Sequence, residues 1–398
     1  MLGTVQPKLG TLETNQGAHT EVGEETFQEL MSTHYPSHTQ AKVTQYREEN
    51  TITLVELIHK YNDWINTHRV TKALGGFQAE KSPGPDGIKP IIFSHFPTNF
   101  IDQLVLVYKA CIALEYTPTP WKVSKVIFIP KPGKDSYDKA KSFRPISLSN
   151  YLLKGLEKLC VWKMEEGMTP IHKSQHGFQR GKSTESALSK TVNVIEKYMS
   201  QGKHCIGVFL DIQGAFDTIQ PNYIRTKLLE HGGNENMVNW YYNYLTHRNL
   251  KTTVGGYSGE VTINIGFPQG GVCSAKFWII AFNNAEEIIN QWGVVGQGFA
   301  DDLSMIHGGK DLNHITNKLQ ILLNQLQKWG STCGLKFSPE KTVAVLFNGA
   351  GRHITRPMKI DNSKINYVKE VKYLGLTLDN KLSWKPHITK TLEKCSTL

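Results

Sequence analysis

The sequence lacks the features that mark disulfide-rich, zinc-binding and membrane proteins. Its six cysteines are scattered over 398 residues without a C-x-x-C pair, which argues against a zinc knuckle or a disulfide framework and favours a reducing compartment. It has no apolar run of about 18 residues, no signal peptide and no internal repeat. These absences predict an intracellular protein, in the nucleus and/or the cytoplasm, that is neither secreted nor membrane-inserted.

Acidic residues are scarce outside the N-terminal segment. Residues 1–50 carry three Lys and Arg against seven Glu, so the remaining chain carries 42 basic and 28 acidic residues, a balance of +14 within a total of +10. A basic body suits a polyanionic partner such as nucleic acid, although charge alone does not identify one. Residues 1–50 are polar and aperiodic and are predicted to form a flexible acidic leader. Residues 51–110 are predicted to form a helical extension, starting with a helix over 51–65.

Two adjacent carboxylates stand out in the stretch G-F-A-D-D-L-S-M-I over residues 298–306. Short apolar runs on both sides of a polar tip predict a tight β-hairpin. Because Asp301 and Asp302 repel each other, a cation is expected to compensate them, and Mg²⁺ is the first candidate since it prefers oxygen ligands. An acidic surface turn is the alternative for the pair taken alone.

A third carboxylate ends the apolar run C-I-G-V-F-L-D-I over residues 205–212. A continuous apolar run is typical of a strand buried on both faces, and here it ends at Asp211. One Asp at a strand end and two on a hairpin can converge in space. Three carboxylates that hold two Mg²⁺ ions about 3.5–4 Å apart are a standard device for displacement at a phosphate.

Three pieces around these carboxylates resemble, in order and spacing, central motifs of reverse transcriptases. They are F-L-D-I-x-x-A-F-D over 209–217, G-x-P-Q-G over 266–270 and F-A-D-D over 299–302. Further segments are similar to signatures of the non-LTR (LINE-type, jockey/R1-like) retrotransposon class, so that the resemblance covers roughly residues 75–390. These segments are K-S-P-G-P-D-G-I (81–88), I-P-K-P (129–132), F-R-P-I-S-L (143–148), H-G-F-x-x-x-x-S-T (176–184), Y-L-G-x-x-x-D (373–379) and L-x-W-x-x-H-I (382–388).

The resemblance implies an α+β right-hand polymerase with fingers and an antiparallel palm sheet flanked by helices. The reverse transcriptase domain is expected over 111–379 and the start of a thumb or connection over 380–398, with the thumb largely missing. Relatives usually carry an endonuclease ahead of the polymerase, and residues 1–50 are too short for one. We therefore expect a fragment or decayed copy of a longer element polyprotein.

The resemblance also implies the reaction and its residues. The expected activity is RNA-directed DNA synthesis, in which two Mg²⁺ ions, with Mn²⁺ a possible substitute, assist nucleotidyl transfer from a dNTP to the 3′-hydroxyl of a DNA primer on an RNA template. Catalysis is expected from Asp211, Asp301 and Asp302, and the Ile212 carbonyl is an expected metal ligand besides them. Expected nucleotide contacts are Lys131, Arg144, Phe216, Gln269, Gly270 and Lys341. Expected primer and template contacts are Gly177, Phe178, Ser183, Tyr373, Leu374 and Gly375.

Several alternatives accompany these expectations. Residues 177–184 nearly spell a Walker A loop, but only three residues separate the two glycines where that motif needs four. A group II intron maturase or a telomerase is a related alternative, and the terminal motifs over 373–388 argue against both. A catalytically inactive, truncated relic that only binds nucleic acid stays open as an alternative from another class.

The remaining periodicity predicts ordinary core elements. A helix is expected from Pro221 to the glycines at 232–233, followed by an aromatic helix around Tyr241 that is either buried or a base-stacking surface. A hairpin is expected from 251 to 265. A core helix rather than a coiled coil is expected over 312–329, and a strand over 343–347.

Overall fold

The structure, a computed structural model, describes residues 9–14, 16–36, 52–134, 136–347 and 357–396. The chain divides into two units. The first unit comprises Met1–Thr169 and Phe216–Phe277, and the second comprises Pro170–Ala215 and Trp278–Leu398.

Twelve α-helices are described, together with short 3-10 helices at Pro90–His95, Thr119–Lys122 and Ala140–Ser142. The α-helices, in chain order, are α1 Glu24–His34, α2 Leu54–His59, α3 Thr67–Gly75, α4 Thr98–Ala113, α5 Tyr151–Gly167, α6 Thr184–Ser200, α7 Ala215–Thr218, α8 Pro221–Glu230, α9 Glu235–Leu245, α10 Val272–Gln291, α11 Leu312–Cys333 and α12 Lys385–Ser396.

Fifteen strands are described. They are β1 Val123–Pro130, β2 Phe143–Leu148, β3 His204–Leu210, β4 Ile212–Gln213, β5 Arg248–Val254, β6 Tyr257–Ile263, β7 Val295–Phe299, β8 Asp302–Gly309, β9 Lys336–Phe337, β10 Val343–Phe347, β11 Lys359–Ile360, β12 Ser363–Lys364, β13 Asn366–Tyr367, β14 Glu370–Tyr373 and β15 Leu376–Asp379.

The first unit contains a four-stranded sheet in the order β2-β1-β5-β6. Its two hairpins are antiparallel, and a parallel pairing of β1 with β5 joins them. The predicted hairpin therefore forms, with longer strands than the 251–265 pattern indicated. Helix α8 begins at Pro221 as expected, since proline suits the first helical position. In α9, Trp240, Tyr241 and Tyr244 are buried, so this helix is a core element rather than a stacking surface.

The N-terminal segment differs from the flexible leader that its composition predicts. Residues 24–34 form α1, which buries Phe27, Leu30 and Met31 against the four-stranded sheet. The Thr26 hydroxyl donates a hydrogen bond to the Glu21 carbonyl at 2.9 Å, and the His34 ring binds the Ala140 carbonyl at 3.0 Å. Only a few apolar residues stabilise α1, too few to show as a long hydrophobic period. The predicted leader over residues 1–8 and 37–50 lies outside the described residues.

The helix predicted over 51–65 is shorter in the structure. A capping box joins Thr53 to Glu56, and α2 ends at His59. Tyr61 then has φ 63°, a left-handed conformation that interrupts a helix. Ile65 is still buried, because the loop after α2 carries it into the core.

The second unit contains a five-stranded sheet in the order β13-β10-β3-β8-β7. The central strand β3 is buried along its whole length, as its apolar sequence predicts. Its neighbours β8 and β10 are antiparallel to it, and only the two-residue strand β13 pairs in parallel. The expected strand over 343–347 forms with the predicted bounds.

Helices flank the five-stranded sheet. The cluster that includes Leu188 and Ile195 of α6 contains Phe209, Phe347 and Tyr373, which lie on β3, β10 and β14. Helix α11 buries a stripe that includes Leu319 and Leu326 and ends at Gly334 with φ 84°, a left-handed cap that glycine permits. The α+β class and the antiparallel sheet flanked by helices are therefore confirmed.

Candidate active site

The predicted hairpin carries the adjacent aspartates. Strands β7 and β8 are antiparallel and end with the pair Phe299–Asp302, so Ala300 and Asp301 form a two-residue turn. We call this element the Asp301 hairpin. Ala300 has φ 57°. This conformation costs a non-glycine residue about 1–3 kcal/mol, and it persists only where the surrounding structure holds it. The turn exposes Asp301 and Asp302 and buries Ala300 between them and the sheet.

Asp211 lies at the same end of the sheet. Strand β3 pairs with β8, and the last pair of their register joins Leu210 to Leu303. The next residues of the two strands are Asp211 and Asp302, which therefore come together although 90 residues separate them in sequence. The three predicted aspartates are thus brought together at the same end of one sheet, where β3 ends and β7 turns into β8.

The electrostatics of Asp302 reflect this clustering. Its pKa is raised from the ordinary 3.8 to about 6 by desolvation and by the negative charges of Asp301 and Asp211. The two neighbouring carboxylates disfavour a further negative charge on Asp302. A cluster of this kind favours a cation among its oxygens.

A turn after β9 holds the backbone and the side chain of Asp211. The Ser338 amide donates to the Asp211 carbonyl at 2.8 Å, and the Asp211 amide donates to Thr342 Oγ1 at 3.3 Å. Lys341 Nζ lies 3.2 Å from Asp211 Oδ2. The sequence predicted Lys341 as a functional residue but missed Ser338 and Thr342. Their signal was the S-P-E-K-T turn, whose partner in the fold is far away in sequence.

The donor set fits a hard divalent ion only in part. Carboxylate oxygens are what Mg²⁺ prefers, and the raised pKa of Asp302 shows that negative charge is concentrated here. Within the described ranges, no three His, Cys, Asp or Glu side chains are arranged so that they could hold a metal ion. Mg²⁺ is commonly bound by one or two carboxylates plus substrate phosphates. The aspartates therefore offer oxygen ligands of the kind that Mg²⁺ prefers.

The G-F-P-Q-G-G loop over residues 266–271 belongs to the first unit. Gln269 Nε2 donates to Asp217 Oδ1 at 2.8 Å, and the Phe267 amide donates to the Phe216 carbonyl at 2.6 Å. Gly270 has φ 110° and approaches the Ser147 carbonyl so closely that a Cβ would lie 2.9 Å from it. Glycine is therefore required at 270, and the loop is built around the F-D pair that follows Asp211 in sequence.

Two buried charges, neither predicted, secure the ends of this loop. Arg248 is 1% exposed and donates from Nη2 to the Ile265 and Gly266 carbonyls at 2.6 and 2.7 Å. Glu157 is fully buried and accepts from the Val272 and Cys273 amides at the start of α10, at 3.2 and 3.4 Å. Burial raises the pKa of Glu157 to about 6, and the two amides oppose that rise. An anion at a helix N-terminus satisfies otherwise unpaired amides.

Comparison with known proteins now decides the family. The family model "Reverse transcriptase (RNA-dependent DNA polymerase)" matches residues 129–378, which include the aspartates, the loop over 266–271 and Lys341. The chain belongs to the reverse transcriptase family.

Relatives among curated proteins confirm the resemblance to the non-LTR class. The chain is 27% identical to "Probable RNA-directed DNA polymerase from transposon BS" of Drosophila melanogaster over 83% of the chain and 37% of that protein. It is 27% identical to the polymerase of mobile element jockey of Drosophila melanogaster, over 82% of the chain and 36% of that protein. It is also 27% identical to the Pol polyprotein of the R1 element of Bradysia coprophila, over 81% and 32%. The chain thus spans about a third of these relatives.

The solved structure of apo telomerase from Candida tropicalis, truncated from its C-terminal domain, is also similar to this chain. It matches with a TM-score of 0.47 and 13% identity, over 71% of this chain and 59% of that one.

The two cations predicted to contact a nucleotide lie at one end of the β1–β2 hairpin. Arg144 pairs with Ile129 in the register and is exposed. Lys131 follows β1, where its amide donates to the Ser142 carbonyl and its Nζ donates to the Lys141 carbonyl, both at 2.8 Å. The structure brings this predicted pair together on the first unit.

The segment expected to touch the template lies on the second unit, with different exposures along it. Gly177 is buried against the Asp301 hairpin, whereas Phe178 is 49% exposed. Ser183 is the N-cap of α6, and its hydroxyl accepts a hydrogen bond from the Ser186 amide at 3.3 Å. The stretch that nearly spells a Walker A loop thus ends in an ordinary capped helix start.

The Y-L-G piece forms the turn between β14 and β15. Tyr373 is 4% exposed, packs against Phe209 with ring centroids 5.1 Å apart, and donates to the Gln297 carbonyl at 3.2 Å. Leu374, with φ 46°, and Gly375, with φ 91°, make the turn itself. Tyr373 therefore packs in the core next to β3, the strand that ends at Asp211.

Proposed function

We propose that this chain is the polymerase core of a non-LTR retrotransposon and catalyses RNA-directed DNA synthesis. It would add deoxynucleotides to the 3′-hydroxyl of a DNA primer on an RNA template. The observation that carries the proposal is that Asp211, Asp301 and Asp302 lie together at one end of a sheet, within a reverse transcriptase domain. The relatives from mobile elements are named RNA-directed DNA polymerases, which supports it.

Each aspartate has a proposed role. Asp211 and Asp301 would hold two Mg²⁺ ions, with Asp302 supporting them electrostatically and the Ile212 carbonyl as a further ligand. When bound, the ions would lower the pKa of the primer hydroxyl and offset negative charge on the triphosphate. Lys341 would neutralise Asp211 before the nucleotide arrives, since its Nζ lies 3.2 Å from Oδ2. The charge of Asp211 would then be compensated throughout the cycle.

The other predicted residues would bind substrates. Lys131 and Arg144 would contact phosphates, Arg144 through its planar fork of donors. Gln269 and Gly270 would line the nucleotide, since their glycine-containing loop leads into the N-terminus of α10, which favours anions. Phe178, which is exposed, would touch primer or template. Gly177, Ser183 and the turn over 373–375 are the other residues proposed to contact primer or template.

The proposed setting is inside the cell, in the nucleus or the cytoplasm. The six cysteines form no disulfide with one another and five of them are buried, which suits a reducing compartment. None of the helices that the structure describes is long and apolar enough to cross a membrane. An endonuclease elsewhere in the element polyprotein is the proposed partner that would prepare the primer.

Primer extension tests the proposed function. We expect the purified chain to extend oligo(dT) on poly(rA) with dTTP in Mg²⁺, and extension in Mn²⁺ would also count as activity. A chain that is folded and binds the duplex but extends nothing in either metal would instead be the nucleic-acid-binding relic. A competent reverse transcriptase on the same template serves as the positive control.

A further inference from the structure

Residues 174–177 run alongside the Asp301 hairpin and pair with it through a single β-bridge. Gln175 forms a parallel bridge with Gly298 of β7. The His176 amide donates to the Gly298 carbonyl at 2.7 Å, and the Gly298 amide donates to the Ser174 carbonyl at 3.0 Å. Since β7 is the last strand of its sheet, this segment covers its edge next to the turn that carries Asp301.

The side chain of Gln175 reaches the turn itself. It is 1% exposed, and its Oε1 accepts from the Gly177 amide at 2.8 Å and from the Ala300 amide at 3.2 Å. Its Nε2 donates to Glu286 Oε1 at 3.0 Å. Only this orientation of the carboxamide satisfies all three groups, because two donors meet the oxygen and a carboxylate meets the nitrogen.

Glu286 anchors that carboxamide from α10. The carboxylate is 1% exposed, and its Oε2 accepts from Ser174 Oγ at 2.7 Å and lies 3.7 Å from His172 Nδ1. Burial raises the pKa of Glu286, and these hydrogen bonds oppose the rise. A buried acceptor with specific donors fixes the geometry of the groups around it.

Two glycines show how closely these groups are packed. A Cβ on Gly177 would overlap the backbone nitrogen of Ala300, and a Cβ on Gly298 would overlap Glu286 Oε1. Both overlaps are with groups that cannot move away without breaking the hydrogen bonds described above. The segment therefore contacts the turn at van der Waals distance, without space for a template between them.

We propose that Gln175, held by Glu286, is a positioning residue that sets the conformation of Ala300 and thereby the placement of Asp301 and Asp302. This inference rests on the proposed function, because it takes these aspartates as metal ligands. Ala300 has a positive φ, and such a residue persists only where its surroundings hold it. Gln175 provides the acceptor for the Ala300 amide in the turn.

The H-G-F segment thereby gains a role different from template contact. A template contact would act through affinity for the template. A residue that places metal ligands acts on the chemical step, where an error of about 1 Å can change the rate by about 100-fold. Loss of the positioning role would therefore lower kcat, whereas loss of a template contact would raise the dissociation constant of the primer–template.

The first test is Gln175→Met, which keeps the side-chain length and removes both the acceptor and the donor. Gln320→Met is the matched control, because Gln320 clamps the Lys359 backbone through the same two groups, at 2.7 and 3.0 Å, on another hairpin of the second unit. We expect Gln175→Met to lower kcat about tenfold or more, with the primer–template dissociation constant within about threefold of the parent. The proposal is overturned if folded Gln175→Met has the parental kcat. It is also overturned if the variant loses activity only through weaker primer–template binding.

A charge exchange tests the anchor even if Gln175→Met fails to fold. Gln175→Glu keeps an acceptor for Ala300 but places a second carboxylate against Glu286, so we expect low kcat. Adding Glu286→Gln restores one carboxylate facing one carboxamide, and we expect kcat to return to within about threefold of the parent. A double variant no better than Gln175→Glu contradicts the anchoring role.

Hydrogen exchange and Mn²⁺ binding keep this proposal distinct from the proposed function. We expect Gln175→Met, but not Gln320→Met, to speed amide exchange in the peptide that contains residues 299–302 and to weaken Mn²⁺ binding measured by electron paramagnetic resonance. Unchanged exchange at the turn overturns the positioning role whether or not the chain polymerises. Faster exchange in Gln175→Met, together with no primer extension by the parent chain, supports the positioning role and rejects the polymerase.

Discussion

Lys341 and Asp211 form an ion pair across two turns of the second unit, with Nζ 3.2 Å from Oδ2. The lysine side chain is 67% exposed and the aspartate 37%, so the pair is held loosely and its contribution to stability is within about 1 kcal/mol. Its chemical consequence is larger. The lysine brings a positive charge to Asp211, beside Asp301 and Asp302, and it is exposed enough to leave when another cation or a phosphate arrives.

Replacing Lys341 should therefore change metal and nucleotide binding in opposite directions. In Lys341→Met we expect tighter Mn²⁺ binding without nucleotide, since the competing ammonium is gone, and a KM for dNTP raised about tenfold, since a phosphate contact is lost. Titration with Mn²⁺ and steady-state extension measure the two effects. Weaker Mn²⁺ binding would contradict the competition, and an unchanged KM would remove Lys341 from the nucleotide site.

Removing either principal metal ligand should abolish extension. We expect Asp211→Asn and Asp301→Asn to fold like the parent and to extend primer at less than about a tenth of its rate, because each loses a charged ligand. Asp311→Asn is the control, since Asp311 caps α11 through its side chain and Asn caps equally well. A folded Asp211→Asn that exceeds this rate would show that the metal assignment is wrong.

Binding of a primer–template duplex should weaken with salt. Residues 51–398 carry a balance of +14, and phosphate neutralisation releases counterions. Between 50 and 200 mM salt we expect affinity to fall about tenfold even if only two phosphates are engaged, and more if more are. Fluorescence anisotropy at four salt concentrations measures the slope, and a flat response would reject a basic binding surface.

Acid should destabilise the first unit through His34. Burial, with Lys131 adding to it and the Ala140 carbonyl opposing it, lowers the pKa of His34 from 6.5 to about 4. Between these values the unfolded chain binds more protons, so the free energy of unfolding falls as pH is lowered from about 6.5 to 4, by up to about 3 kcal/mol. Urea melts at several pH values measure it. We expect His34→Gln, which keeps a donor for the Ala140 carbonyl, to flatten the curve, and a curve as steep as the parent's would exclude His34.

Local patterns in the sequence predicted the parts of the fold whose periodicity is strong. The stripe of α11, the strand over 343–347 and the hairpin around Asp301 each follow from spacing within one segment. Helix α1 was missed because a few side chains packed on a distant sheet stabilise it. The end of α2 was missed because a left-handed Tyr61 has no sequence signal.

The residues of the candidate site also fall into those that the sequence predicted and those that it missed. The three aspartates were predicted because acidic residues after apolar runs are visible locally, and Lys341 was predicted from the family resemblance. Gln175, Glu286 and Thr342 were missed because each is a buried polar residue whose partner lies more than 100 positions away. A buried glutamine or threonine resembles any other polar residue in sequence, and only the fold shows which backbone group it satisfies.

Phe216 is predicted to select deoxynucleotides over ribonucleotides. It follows Asp211 by five positions, and its half-buried ring packs edge-on against Phe267, with centroids 6.2 Å apart, beside the loop that carries Gln269. A rigid ring next to the nucleotide sugar leaves room for hydrogen at C2′ but not for a hydroxyl. Phe216 thus occupies the part of the first unit where nucleotide contacts are proposed.

Trimming that ring should relax the selection and leave the metal ligands in place. We expect Phe216→Val to raise kcat/KM for a ribonucleotide relative to the deoxynucleotide by about tenfold or more, while keeping much of the deoxynucleotide activity. Single-nucleotide extension with dTTP and with UTP measures the ratio, and Phe100→Val, which removes an exposed ring on α4, is the control. If Phe216→Val loses both activities in parallel, or keeps full selectivity, then the ring is a packing element of the 266–271 loop and the sugar is selected elsewhere.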